Sequence, residues 1–201
     1  MHFSQMAESM ESAKLQFACS ANFFDAVTNI NLSPEQAAFL KEIPDATLRQ
    51  DVWDFMINQQ FRRDYWVKGA QHINAEQRIS ALRNQRLLLI NNKSDVKLKV
   101  PGPVGEVTLK GGIFEPLIDI MSDHKIRTLR EIELAGASAG IDFSQLLEAT
   151  LMLLGVGHFA LVQEAEAIDQ ASKTSSKLNS KLIERAREAD DIAYLSSPVT
   201  G

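Results

Sequence analysis

Twelve residues, NQQFRRDYWVKG from Asn58 to Gly69, bring together amides, two adjacent arginines, an aspartate and three aromatics. No other stretch of the chain is as dense in groups able to recognise charge. A guanidinium binds carboxylates bidentately and stacks on aromatic rings, so such a cluster suits either a buried ion-pair network or a protein interface. In the first reading Phe61, Tyr65 and Val67 enter the core, and Asp64 pairs with Arg62 or a neighbouring arginine. The amides of Asn58 and Gln59 then satisfy backbone groups where a helix turns into a strand. Folding alone would fix such residues, because breaking a buried pair or amide network is costly. In the second reading Arg62, Arg63 and Lys68 form a cationic edge beside Trp66 that meets an acidic partner surface, with Asn58, Gln59 and Asp64 in the same patch.

Elsewhere the chemistry is sparse. His2, His72, His124 and His158 are scattered, and none has a partner at metal-ligand spacing. Cys19 is the only cysteine, which rules out an internal disulfide and fits a reducing cytoplasm. There is no G-x-S-x-G elbow and no P-loop. Gly155 and Gly157 follow a helical pattern and precede a strand, the reverse of a nucleotide-binding loop. The sequence therefore predicts no catalytic, cofactor or metal site in this chain.

Composition points the same way. The 201 residues are 45% hydrophobic and 23% charged, enough to bury a core in one domain or two small ones. With 21 basic against 26 acidic residues, the whole chain is not built to attract phosphate backbones or anionic lipid. The N-terminus lacks a signal-peptide pattern and no apolar run is long enough to span a membrane, so the expectation is a soluble cytoplasmic protein.

Periodicity sets the elements that must position these residues. Phe3, Met6, Met10, Ala13 and Phe17 predict a helix with one buried face, closing in a short extended LQFAC. Ser33, Pro34 and Gln36 mark a capped helix running to about Ile43; Pro44 and Asp45 restart it, with Leu48, Val52, Phe55 and Met56 as its apolar face. From Phe61 the period becomes two, a strand ending at Gly69. A short helix starting at Asn74 leads to the strand RLLLINN, and VKLKV with GEVTLKG reads as a hairpin, so residues 62 to 110 form a small, mostly antiparallel sheet. Helices IFEPLIDIMSD, TLREIELAGA from Thr128 and DFSQLLEATLMLLG from Asp142, followed by the strand HFALVQ, give a winged-helix pattern over 111–163. Its third helix, where a DNA reader would lie, has no Lys or Arg, which favours packing over phosphate contact. The remainder, 164–201, is a solvated polar helix with a soft break at KTSSK and a closing loop or anchor, SSPVTG. The predicted class is α+β: a helical unit plus small sheet over 1–110, a winged-helix-like domain, and a C-terminal helix, with dimerisation through that helix one option.

The run DFMINQQFRRDYWVKGA, 54–70, resembles the hallmark of the methyltransferase regulatory domain family, a D-F-x-x-N-x-x-F-R-x-D-x-x-V-x-G-like stretch matched here by Asp54, Phe55, Asn58, Phe61, Arg62, Asp64, Val67 and Gly69. VGEVTL, SSPVTG and the opening HFSQMAESMESAKL are also similar to members of that family. The resemblance implies an accessory module lying C-terminal to an S-adenosylmethionine-dependent methyltransferase domain, in some members one resembling bacterial protein lysine methyltransferases. The cofactor would then sit on that separate catalytic domain, and the partners would be that domain, in the same polypeptide or separate, or a protein substrate. The abrupt start in an amphipathic helix fits a fragment of a longer protein, with a stand-alone polypeptide as the other option. The alternative function is a winged-helix transcription regulator that binds DNA or a protein partner.

Overall fold

A computed structural model of the chain describes residues 1–102, 105–109 and 111–200. It is α+β, and every strand pair among the described residues is antiparallel. Helix α1 (Phe3–Glu11) is followed by strand β1 (Leu15–Ser20), a 3-10 turn at Phe23–Ala26 and the short α2 (Thr28–Asn31). The helix predicted to carry Phe3 through Phe17 thus stops early: Lys14 takes a left-handed φ of 59°, and Phe17 faces the same interior from β1. Helices α3 (Pro34–Glu42) and α4 (Ala46–Met56) come next, each begun by its own cap. Ser33 and Gln36 form the expected capping box, and Asp45 accepts from the Leu48 amide at 2.7 Å.

Strand β2 (Asp64–Lys68) pairs with β1, matching Phe17 to Trp66, Cys19 to Tyr65 and Ser20 to Asp64 across a bulge. Helix α5 (Ala75–Arg83), boxed by Asn74 and Gln77, leads into β3 (Arg86–Leu89). The hairpin β4 (Lys99–Gly102) and β5 (Gly105–Thr108) stands as predicted, with its turn at 103–104 outside the described residues. The single sheet expected over 62–110 does not form: β2 joins β1, β4 and β5 pair only with each other, and β3 joins two later strands. Alternation identifies strands but not their partners.

The later half packs α6 (Gly111–Met121), β6 (Arg127–Thr128), α7 (Leu129–Gly136), α8 (Phe143–Gly155) and β7 (Phe159–Leu161) against β3, in sheet order β6-β3-β7. Residues 111–163 therefore do not complete a winged helix by themselves, since the central strand comes from 86–89. Helix α8 is the centre of the main core. Leu146, Ala149, Met152 and Leu153 are buried with Leu87, Leu89, Leu117, Met121 and Ile132, and nothing in the fold supports its use as a DNA reader.

That core also receives the chain between β1 and α3. Val27 is completely buried in it, with Phe24 and Ile30 packed alongside. At Gly155 a Cβ would lie 2.8 Å from the Phe24 ring, so the ring rests directly on the α8 backbone. Asn29 adds a 3.0 Å hydrogen bond to Glu148.

Helix α9 (Ala165–Arg185) runs unbroken through KTSSK. On either side of that stretch Ser172 and Ser180 donate their hydroxyls to carbonyls one turn back, within the helix. SSPVTG returns along it as an anchor. Asn179 donates to the Ser196 carbonyl and accepts from the Ser196 amide, both at 2.8 Å, and the Gln163 amide donates to Val199. Among the described residues no helix is long and apolar enough to cross a membrane.

Candidate functional site

The segment 54–69 is built around Arg62. Helix α4 ends at Asn58, whose φ of 53° is left-handed, a conformation asparagine tolerates well. The Gln59 amide then donates to the Asp54 carbonyl at 2.8 Å, a helix-stop pattern that turns the chain towards β2. The Gln59 side chain spans the turn by donating to the Phe61 carbonyl at 2.7 Å. From there the two-residue period sends Arg62, Asp64 and Trp66 inward and Phe61, Arg63 and Tyr65 outward.

Inside, the Arg62 guanidinium uses most of its donors. Nε and Nη2 donate to the two Asp64 oxygens at 2.8 and 3.2 Å, Nη1 to Asp54 Oδ1 at 2.5 Å, and Nη2 to Gln50 Oε1 at 2.9 Å. Its flat face lies 4.6 Å from the Phe3 ring centroid and 5.5 Å from that of Phe17. Phe3, Phe17 and Trp66 contact one another with centroids 5.0 to 5.7 Å apart, so the cation is enclosed by carboxylates on its edge and aromatics on its face.

Burial alone would lower the Arg62 pKa, but hydrogen bonds and charge from Asp64 and Asp54 outweigh it and hold the group firmly protonated. Asp54 responds the other way. Its burial, with the nearby charges of Asp64 and Asp51, lifts the carboxyl above its ordinary value despite Arg62. The pair is thus net favourable for the cation and net costly for this anion, as expected where one guanidinium serves two carboxylates.

Asp64 does pair with Arg62, and Gln59 does serve the backbone of the turn. Phe61, 86% exposed, and Tyr65, 61% exposed, do not enter the core; the inner face of β2 is taken by Arg62, Asp64 and Trp66. The predicted cationic edge is divided for the same reason. Arg62 is turned in with its side chain 18% exposed, Trp66 is packed on Phe3, and Arg63 and Lys68 remain exposed on opposite faces of the strand. The predicted apolar face of α4 is split: Leu48 and Phe55 are exposed, Val52 and Met56 are half-buried, and Gln50 and Asp54 turn towards Arg62. The polar inner residue Gln50 escaped notice in the sequence. Its spacing of one helical turn from Asp54 was the signal that could have found it.

A groove of about 860 Å³ runs beside this cluster between α1, the start of α4 and β1. Phe3, Phe17 and Trp66 line it, with Glu8, Glu11 and Lys14 among its charged groups. On the outer side, Phe55 and Phe61 flank the turn, and Arg63 and Tyr65 continue along β2 beside Cys19.

Residues 1–68, which end within β2, match the family model described as a predicted methyltransferase regulatory domain. The match covers the first third of the chain. Over 200 residues the chain is 31% identical to an uncharacterized protein of Synechocystis sp., and it spans only 39% of that protein's length. Two solved structures of PKMT2 from Rickettsia typhi, one in complex with AdoHcy, are similar at 16% and 17% identity with TM-scores of 0.48; each covers 80% of this chain and 35% of the solved one. Within residues 1–68 the buried residues are few, and Val27 is buried in the larger core rather than beside Phe3.

Proposed function

We propose that this chain is the non-catalytic regulatory or substrate-access module of an S-adenosylmethionine-dependent methyltransferase of the bacterial cytoplasm, acting by docking to the catalytic domain or to its protein substrate. The observation that carries the reading is the match of residues 1–68 to the methyltransferase regulatory domain family. The same segment carries exposed Phe39, Leu48, Phe55, Phe61 and Tyr65, a concentration of large apolar groups suited to a protein contact. The Synechocystis protein extends well beyond the matched segment, which leaves room in it for the further domain this reading requires.

Calorimetric titration tests it in two parts. S-Adenosylmethionine titrated into this chain should give no binding, and micromolar affinity would place the cofactor here and overturn the accessory role. The remainder of the Synechocystis protein, checked for folding by circular dichroism, should bind this chain. Absence of binding both to this chain and to the relative's own matched segment would remove the docking role.

A further inference from the structure

The chain between β1 and α3 does not seal the core completely. Where α2 meets α6, α8 and the end of β5, a pocket of about 430 Å³ stays open. Its floor is apolar and buried, with Leu109 from just past β5, Phe114 from α6, and Ala149 and Met152 from α8. Its rim is polar, formed by the exposed Asn29, Thr108 and Gln145. The volume falls within the range of small-molecule sites, and an apolar floor with a few polar groups at one end is their usual construction.

Glu148 decides which molecules fit. It is half-buried and is the one charged residue lining the pocket among the described residues. Asn29 donates to its Oε2 at 3.0 Å, whereas its Oε1 has neither a hydrogen bond nor an ion pair among the described residues. Helix α8 itself contains no Lys or Arg to neutralise it. An anion entering the pocket would meet this carboxylate unopposed, and a neutral apolar molecule would strip water from it without replacing the lost bonds. A protonated amine would donate to Oε1 and offset the charge, while an apolar body behind it covered the floor.

We infer that this pocket binds a small primary amine carried on an apolar body about the size of a phenyl ring, with Glu148 receiving the ammonium group and Asn29 holding the carboxylate in place. The site goes beyond the accessory reading and does not depend on it. Its walls come from α2 on one side and from β5, α6 and α8 on the other, so an occupant touches both the family-matched segment and the body behind it.

The test titrates phenethylamine into the full chain at about pH 7 by calorimetry, with hydrocinnamamide and hydrocinnamate as the neutral and anionic counterparts. The amine should bind saturably, the amide at least about tenfold more weakly, and the anion more weakly still. Glu148→Gln keeps an oxygen for Asn29 and should bring the amine and the amide to within about twofold of each other. Ile113→Trp, at a half-buried wall position, should abolish binding of both, with circular dichroism and a thermal melt checking that the fold is kept. Equal binding of amine and amide by the wild type would overturn the assignment, and it is the result expected if Lys110, which lies outside the described residues, neutralises Glu148. Amine preference that survives Glu148→Gln would place the ligand elsewhere. No saturable binding of any of the three up to about 10 mM, the weakest affinity a ligand of this size should show in a real pocket, would remove the site.

Discussion

A guanidinium shared between two carboxylates makes Arg62 a costly residue to lose. Arg62→Met leaves Asp54 and Asp64 facing each other in a partly buried pocket, and should destabilise the chain by about 3 kcal/mol near pH 7. The loss has a direction in pH. Burial already raises the folded pKa of Asp54, and removing Arg62 deletes the charge that lowers it, so the folded value rises further above the unfolded one. A raised carboxylate pKa contributes stability below the unfolded value and loses it as pH rises through the folded value. The variant should therefore be less destabilised at about pH 5 than at about pH 7, measured by urea denaturation beside the wild type. Equal destabilisation at both values would show that Asp54 does not carry the cost. The residue types around Arg62 were legible in the sequence, and so was its pairing with Asp64. The inward direction was not, because Asp54 and Gln50 reach it only after α4 has folded back onto the strand.

At the level of elements, starts and stops are controlled locally. The capping boxes at Ser33, Asn74, Thr128 and Asp142 sit where the sequence placed them, since each needs only four consecutive residues. The stop at Asn58 is equally local, and it aims Phe61 and the outer face of β2. Asn58→Val should cost about 1–2 kcal/mol, because a β-branched residue resists the left-handed conformation. Asn58→Gly should be nearly neutral, and parallel thermal melts of the two variants check the contrast. Facing was harder to read than extent. The alternation in β2 and the stripe in α4 were both correct as periods, but a period leaves open which side meets the core. Of the predicted face of α4, Val52 and Met56 are half-buried while Leu48 and Phe55 stay outside, and Gln50 and Asp54 on the same helix bond the enclosed guanidinium of Arg62.

For the whole molecule, acid resistance depends on carboxylates whose pKa folding lowers, Glu35 beside Ser33 among them. Hydrogen bonds from Arg127 hold Asp123 well below its ordinary value, the Thr128 amide and hydroxyl lower Glu131, and Arg83 lowers Glu133. A lowered folded pKa gives stability that is in place above the unfolded value and is lost as pH falls through the folded one. Asp54 acts oppositely but alone, so the melting temperature should fall on acidification below about 4.5, the ordinary value for Glu131 and Glu133. Charge reversal at Glu133 should reduce that dependence, because it removes the partner of the bidentate Arg83 contacts at 2.7 Å. The joint between the halves is a close fit as well. Gly155→Ala places a methyl against the Phe24 ring and should cost about 1–3 kcal/mol by overpacking, read from chemical denaturation. Around Gly155 only its failure as a nucleotide loop was legible, since a close approach of a ring from 131 positions earlier leaves no local mark.

The seat of Phe24 on Gly155, with Val27 buried beside it and Asn29 bonded to Glu148, also bears on how a signal could travel. A hinge at this junction would let the front of the molecule swing while the rear stayed still. Here a ring lies flat on helical backbone, and close-packed interiors transmit displacement instead of absorbing it. A displacement of the turn that carries Phe24 should thus be passed to α8 at that ring rather than taken up between them.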